Sequence, residues 1–157
     1  MDWDADRALR IIDELLTSEP DDIDALLLKG HVLETRGRLD LARELYERVL
    51  ELEPGNVHAL VDLADCDQDE GYVQRALERL EEAQARVEAG FYRTDRDGDL
   101  NEILLGKYRC FIELGRREEA LAAEAYAAKV LPDSTLWQPG GGTADGPPPP
   151  RAAGPDV

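Results

Sequence analysis

Alternating aspartates are the pattern in this sequence that most suggests chemistry. They fall at every second residue of 95–99 and again of 65–69, which is the spacing of the first three ligands of a calcium-binding loop. A calcium-binding loop also needs glycine at its sixth place and glutamate at its twelfth, and neither segment has either residue. The segment 65–69 also falls in a predicted helix, where alternate residues do not converge. We therefore assign no metal site to either segment.

The histidines and cysteines do not form a ligand set. His31 and His58 are the only histidines, and the only cysteines, Cys66 and Cys110, are not part of a CxxC pair. Residues this scattered suit neither a zinc site nor a disulfide framework. We expect the thiols to be packing residues and the histidines to form hydrogen bonds or contact a partner. The cysteine usage favours a reducing compartment.

Catalytic motifs are missing as well. The sequence has no phosphate-binding loop, no HExxH, no nucleophile elbow and no paired Cys/His arrangement. The glycine run at 140–142 has no predicted helix after it, so it is not a phosphate cradle. We predict that the chain is not an enzyme and that it uses no cofactor.

Charge narrows the range of partners. The formal net charge is −17, from 35 acidic and 18 basic residues. Such a chain repels phosphate backbones and anionic lipid surfaces, so we expect neither nucleic acid nor membrane as a partner. A basic or amphipathic protein is the natural complement, although excess acid also keeps a protein in solution. The acidic N-terminus does not resemble a secretory signal, and no stretch reaches transmembrane length, so we predict a cytoplasmic protein.

The elements that carry these residues follow an internal repeat. Pro20 and Pro54 are 34 residues apart, as are Gly37 and Gly71, whereas Gly71 and Gly115 are 44 apart. A 34-residue period with one ten-residue insertion explains these intervals. Repeats that begin at positions 23, 57 and 101 then align Leu26, Leu60 and Leu104; Gly30, Ala64 and Tyr108; Leu33, Asp67 and Phe111; Ala42, Ala76 and Ala120; and Val49, Ala83 and Ala127.

This pattern resembles the tetratricopeptide repeat, a helix–turn–helix unit of 34 residues. The segment 23–56 matches it best, with Gly30, Ala42, Tyr46 and Pro54 at the expected places. Small residues at the eighth and twentieth places let the paired helices approach, and proline ends the second helix. The second repeat departs from the pattern at its eleventh place, where an apolar residue is typical and aspartate stands instead.

The resemblance and the helical spacing of apolar residues predict an all-α superhelix of about 3.5 repeats and no strand. The first helix matches the second half of a repeat whose first half is missing, so we expect either that Trp3 folds over its exposed end or that this end is a docking surface for a partner or a second copy. We predict seven helices, at about 5–17, 22–36, 39–53, 57–70, 73–89, 99–114 and 117–130.

Composition divides the chain into two parts. Residues 1–134 form the predicted repeat domain, and residues 135–157, rich in proline and glycine, form a predicted disordered tail. The insertion at 91–100 contains two aromatic residues. We expect Phe91 and Tyr92 to pack between helices as an anchor for this loop, although loops on such repeats also carry function.

The family's concave groove, lined by the first helix of each pair, implies a binding surface. The matching positions are Asp24, Leu27, Leu28, His31, Glu34, His58, Val61, Asp62, Asp65, Asp69, Glu102, Leu105 and Arg109. Carboxylates dominate this set, so we expect an acidic groove whose apolar anchors are Leu27, Leu28, Val61 and Leu105. Some relatives use lysine and asparagine here to hold the C-terminal carboxylate of chaperones, and this chain lacks those residues.

These features predict a scaffold or adaptor that binds a basic or amphipathic polypeptide in the groove. The alternative is a dedicated cytoplasmic chaperone of a secreted or assembling protein, since small acidic members of this family resemble the chaperones of type III secretion. A homo-oligomer that stacks through the end helices is a further possibility.

Overall fold

The computed structural model describes residues 3–92 and 95–134, and the predicted tail at 135–157 lies outside these ranges. The described residues form seven α-helices and no strand, which confirms the predicted all-α fold. The helices are α1 (Trp3–Ser18), α2 (Ile23–Thr35), α3 (Leu39–Leu52), α4 (Val57–Asp69), α5 (Val73–Glu88), α6 (Arg96–Glu113) and α7 (Arg117–Val130).

Three hairpins, α2–α3, α4–α5 and α6–α7, share the same turn. In the first, the Arg38 amide donates to the Leu33 carbonyl oxygen at 2.9 Å, and Gly37 lies between them with φ of 71°. This is the Schellman arrangement, which needs a left-handed residue after the helix and therefore favours glycine. The equivalent glycines, Gly71 and Gly115, have φ of 86° and 72°.

The aligned small and apolar positions form the core between paired helices. Ala42 and Val49 on α3 are fully buried, and the equivalent residues on α5 and α7 are buried to the same degree. Tyr46 of α3 lies against Gly30 of α2, where a Cβ atom would come within 2.7 Å of the Tyr46 Cζ atom. Each helix packs on the next along the chain, and α4 also packs on α6, so the hairpins stack side by side as a superhelix.

The insertion is partly helical. Asp95 caps α6 by accepting hydrogen bonds from the amides of Asp97 and Gly98, both at 3.2 Å. Helix α6 therefore begins at Arg96, three residues earlier than the predicted boundary at 99. The prediction that Phe91 and Tyr92 anchor the loop by packing is wrong, because 63% and 46% of their surfaces are exposed.

Candidate functional site

The first helices of the three hairpins lie side by side and share one face. The His31 Nε2 atom of α2 lies 2.9 Å from the Asp62 Oδ2 atom of α4. Farther along, the Arg109 Nη2 atom of α6 donates to Asp65 Oδ1 of α4 at 3.2 Å. These bridges join α2, α4 and α6 across the surface on which most of the predicted groove residues lie. We call this surface the groove face.

The structure corrects two of the four predicted apolar anchors. Leu27 and Val61 are buried, with 7% and 5% of their surfaces exposed, and they belong to the core between helices. They are therefore not free to contact a partner. Leu28 is 53% exposed and Leu105 is half-buried, so these two remain as apolar contacts for a guest.

A cluster of carboxylates gives the groove face its electrostatic character. Partial burial raises the pKa values of Glu34, Asp65 and Glu102, and the nearby charge of Asp62 raises each of them further. These carboxylates come from all three first helices. Their ionised forms are penalised in the free protein, so a cationic group placed among them would be stabilised.

Two basic residues of the groove face, His31 and Arg109, are already paired with groove carboxylates. The hydrogen bond to Asp62 raises the pKa of His31, although partial burial opposes this change. Arg109 is held by Asp65, and the buried Tyr46 hydroxyl donates to Glu34 at 2.9 Å. These contacts neutralise only part of the cluster, so the surface remains acidic.

The remaining predicted residues extend the groove face toward the helix ends. Asp24 is exposed in the first turn of α2, and Asp69 is exposed in the last turn of α4. Burial raises the pKa values of Asp99 and Glu102 on α6, and the charge of His58, near the start of α4, partly opposes that rise. The structure thus brings together the central members of the predicted set and places Asp24 and Asp69 at the ends of their helices.

An arginine cluster around Asp67 is the polar feature that the sequence did not predict. Asp67 is fully buried on α4, where it accepts from Arg79 at 2.8 Å, pairs with Arg43 at 2.8 Å and also binds Arg75. Burial alone would raise the pKa of Asp67, but the three arginines outweigh that effect and lower it. The cluster joins α3, α4 and α5, and the carboxylate at its centre is closed to solvent. Its role is structural.

The alternating aspartates do not converge on a common point. Both carboxylate oxygens of Asp95 accept hydrogen bonds from backbone amides, and Asp99 is buried within the first turn of α6. Within residues 3–92 and 95–134, no three histidine, cysteine or acidic side chains are placed to hold a metal ion. No helix in the same ranges is long and apolar enough to cross a membrane.

Comparison with known proteins agrees with this geometry. A family model described as the tetratricopeptide repeat matches residues 33–89, from the last turn of α2 to the residue that caps α5. The chain carries tetratricopeptide repeats. Because stacked repeats of this kind present extended surfaces to other proteins, it is a scaffold for protein–protein interaction.

Two relatives share short segments with this chain. An uncharacterized protein, y4yS of Sinorhizobium fredii, is 43% identical over 49 residues, which cover 31% of this chain and 27% of the relative. Protein O-mannosyl-transferase TMTC3 of Homo sapiens is 44% identical over 52 residues, which cover 32% of this chain and 6% of the relative. The matched segment therefore spans less than a third of the first relative and a small fraction of the second.

Proposed function

We propose that the groove face binds a basic or amphipathic polypeptide and that the chain acts as an adaptor for a partner protein. The observation that carries this proposal is the cluster of Glu34, Asp62, Asp65 and Glu102, contributed by three neighbouring helices. Raised pKa values for three of them mean that the free groove tolerates its negative charge poorly. Lysine or arginine side chains of a guest would supply the missing counter-charge.

Apolar contacts favour an amphipathic guest over a purely basic one. Leu28 and Leu105 present apolar surface on the first helices, near the carboxylates. A helix with lysine or arginine on one side and leucine on the other would engage both features. The buried positions of Leu27 and Val61 limit the apolar surface, so charge contributes most of the selectivity.

The proposal also covers the wider role of the chain. Residues 1–134 would act as one binding domain in the cytoplasm, without intrinsic catalysis and without a cofactor. The carboxylates of the groove face are complementary to the cationic side chains of a partner, which supports a role in protein binding. The small matched share of the human transferase, 6% of its length, gives no support for transfer chemistry here.

The test is a titration with a synthetic amphipathic peptide of about four helical turns, with lysines on one face and leucines on the other. The triple variant Asp62→Asn, Asp65→Asn, Asp69→Asn removes three groove carboxylates. We expect its affinity for the peptide to fall by about tenfold, because each partly exposed ion pair contributes a few tenths of a kcal/mol to about 1 kcal/mol. The salt dependence of binding should fall with it.

The matched control makes an equal change of charge on the second helices. Glu44, Glu47 and Glu82 are exposed on α3 and α5, and their replacement by glutamine should leave affinity and salt dependence nearly unchanged. Equal losses in both triple variants would show that net charge, and not the groove, governs binding. Unchanged binding in the groove variant would contradict the proposal directly.

The chaperone alternative uses the same groove and differs in what happens to the guest. A dedicated chaperone keeps one client from aggregating and releases it before the client assembles. An adaptor remains in the finished complex. Purification of the chain with its partner from its native cells, followed by a solubility assay of that partner alone, separates the two functions.

A further inference from the structure

Helix α1 exposes a position that the other hairpins bury completely. The second helices α3, α5 and α7 carry Val49, Ala83 and Ala127 at equivalent places, each with 0% of its surface exposed. Leu15 of α1 stands 34 residues before Val49 and is 41% exposed. The difference arises because α1 is a second helix without a first helix packed on this side.

Two more apolar side chains border the same vacant position. Ile11 lies one turn before Leu15 on α1 and is 58% exposed. Leu28 of α2 stands 34 residues before Asp62, a residue that contacts His31 on the preceding first helix. By this equivalence, Leu28 faces the place of a preceding first helix. We call Ile11, Leu15 and Leu28 the α1 face.

The side of α1 around Ile11 carries one positive and one negative charge, so it is complementary to the same surface on a second copy turned by a two-fold axis. Arg7 lies four residues before it and Glu14 three residues after it, so both share its side of the helix. Both are exposed, and neither forms an ion pair with any residue that the structure describes. Around the other side of α1, Asp13 is already bound to Lys29 of α2, and Asp6 is bound to Arg36, the residue after α2.

We propose that a second copy of this chain covers the α1 face, with the two α1 helices packed antiparallel across a two-fold axis near Ile11. In that arrangement, Arg7 of each copy meets Glu14 of the other, and the two Ile11 side chains pack together. Paired helices within each hairpin are also antiparallel, so each α1 takes the place of the other's missing first helix. The α1 face shares Leu28 with the edge of the groove face, but Ile11 and Leu15 lie on α1 outside the predicted groove set, and this inference does not rest on the proposed function.

Sedimentation equilibrium of the full chain, from micromolar to millimolar protein, tests the pairing. The chain should form a concentration-dependent dimer, and Ile11→Asp should raise its dissociation constant by at least about 100-fold, because a charge would enter the centre of the interface. Leu121→Asp is the matched control, since Leu121 is 54% exposed on α7 at the opposite end. Circular dichroism verifies that both variants are folded.

A charge-swap experiment distinguishes a second copy from any other occupant. Arg7→Glu and Glu14→Arg should each weaken the dimer about tenfold, since both ion pairs become repulsive. A mixture of these two variants should form a heterodimer nearly as tight as the native dimer, because every reversed charge then meets its opposite.

Three results would overturn the inference. One is a chain that stays monomeric at millimolar concentration, which would leave the α1 face to a different protein or to a further segment of chain. Another is a dimer that Ile11→Asp leaves intact or that Leu121→Asp disrupts equally. The third is a mixture of the charge variants that associates no better than either variant alone.

Discussion

The contact between Gly30 and Tyr46 offers a quantitative test of how the first hairpin is packed. A Cβ atom at Gly30 would lie 2.7 Å from the Tyr46 Cζ atom and 3.0 Å from Cδ1. Tyr46 is fully buried and its hydroxyl is bound to Glu34, so the ring has little freedom to move away. Gly30→Ala should therefore overpack the core of this hairpin.

The expected size follows from two opposing effects. Overpacking of a filled core costs about 1 to 3 kcal/mol. Replacement of glycine by alanine inside a helix stabilises the helix by about 1 kcal/mol. Gly30→Ala should therefore lower the free energy of unfolding by up to about 2 kcal/mol.

The second hairpin provides the compensating change. At the equivalent places it carries Ala64 and Leu80 in place of Gly30 and Tyr46. In a Tyr46→Leu background, the added methyl group would enter space that the ring has vacated, so Gly30→Ala should stabilise the protein by up to about 1 kcal/mol. The coupling energy between the two sites is then about 1 to 3 kcal/mol.

Urea unfolding of the four proteins, followed by far-ultraviolet circular dichroism, measures this cycle. The predicted result is a change of sign in the effect of Gly30→Ala between the two backgrounds. An effect of the same sign and size in both would refute the packing described for α2 and α3. So would a stabilising Gly30→Ala in the native background.

Three further predictions concern ionisable side chains. Asp67→Asn should lower the free energy of unfolding by about 3 kcal/mol, whereas the exposed control Asp69→Asn should lower it by less than about 0.5 kcal/mol. Because the folded pKa of Asp67 is lowered, its contribution to stability should be lost in acid denaturation as pH falls through that pKa. Glu102 has a raised folded pKa, so its ionised form destabilises the protein as pH rises. Glu102→Gln should therefore stabilise the protein by about 0.5 kcal/mol or less near neutrality and should not stabilise it in strong acid. The same change should weaken binding of the basic peptide, as measured by calorimetry. Burial raises the pKa of the Cys66 thiol to about 12 and of Cys110 to about 11, so a thiol reagent should label both only after urea unfolds the chain.

The helices could be predicted from the sequence because the repeat spacing and the apolar periodicity agree. Glycine at the turns and proline after second helices limit where a helix can extend. The start of α6 was harder to predict, because Asp95 looks like one member of an acidic run. Only its bonds to the amides of Asp97 and Gly98 identify it as a cap.

The groove residues were less predictable, because a position in a repeat does not determine burial. Leu27 and Val61 match groove positions of the family, yet neighbouring helices enclose them in this chain. Asp67 shows the opposite case. Its place in the repeat suggests an apolar residue. Its partners Arg43 and Arg79 belong to two other helices, and the sequence alone does not indicate that these side chains meet.

Nuclear magnetic resonance of the labelled chain during titration with the lysine-and-leucine peptide tests the acidic groove most directly. The amide signals that shift should belong to the first helices, around Glu34 on α2, Asp62 and Asp65 on α4, and Glu102 on α6. A peptide with glutamate in place of lysine should shift none of them. Shifts confined to the second helices α3, α5 and α7, or equal shifts with both peptides, would contradict binding of a basic polypeptide at the groove face.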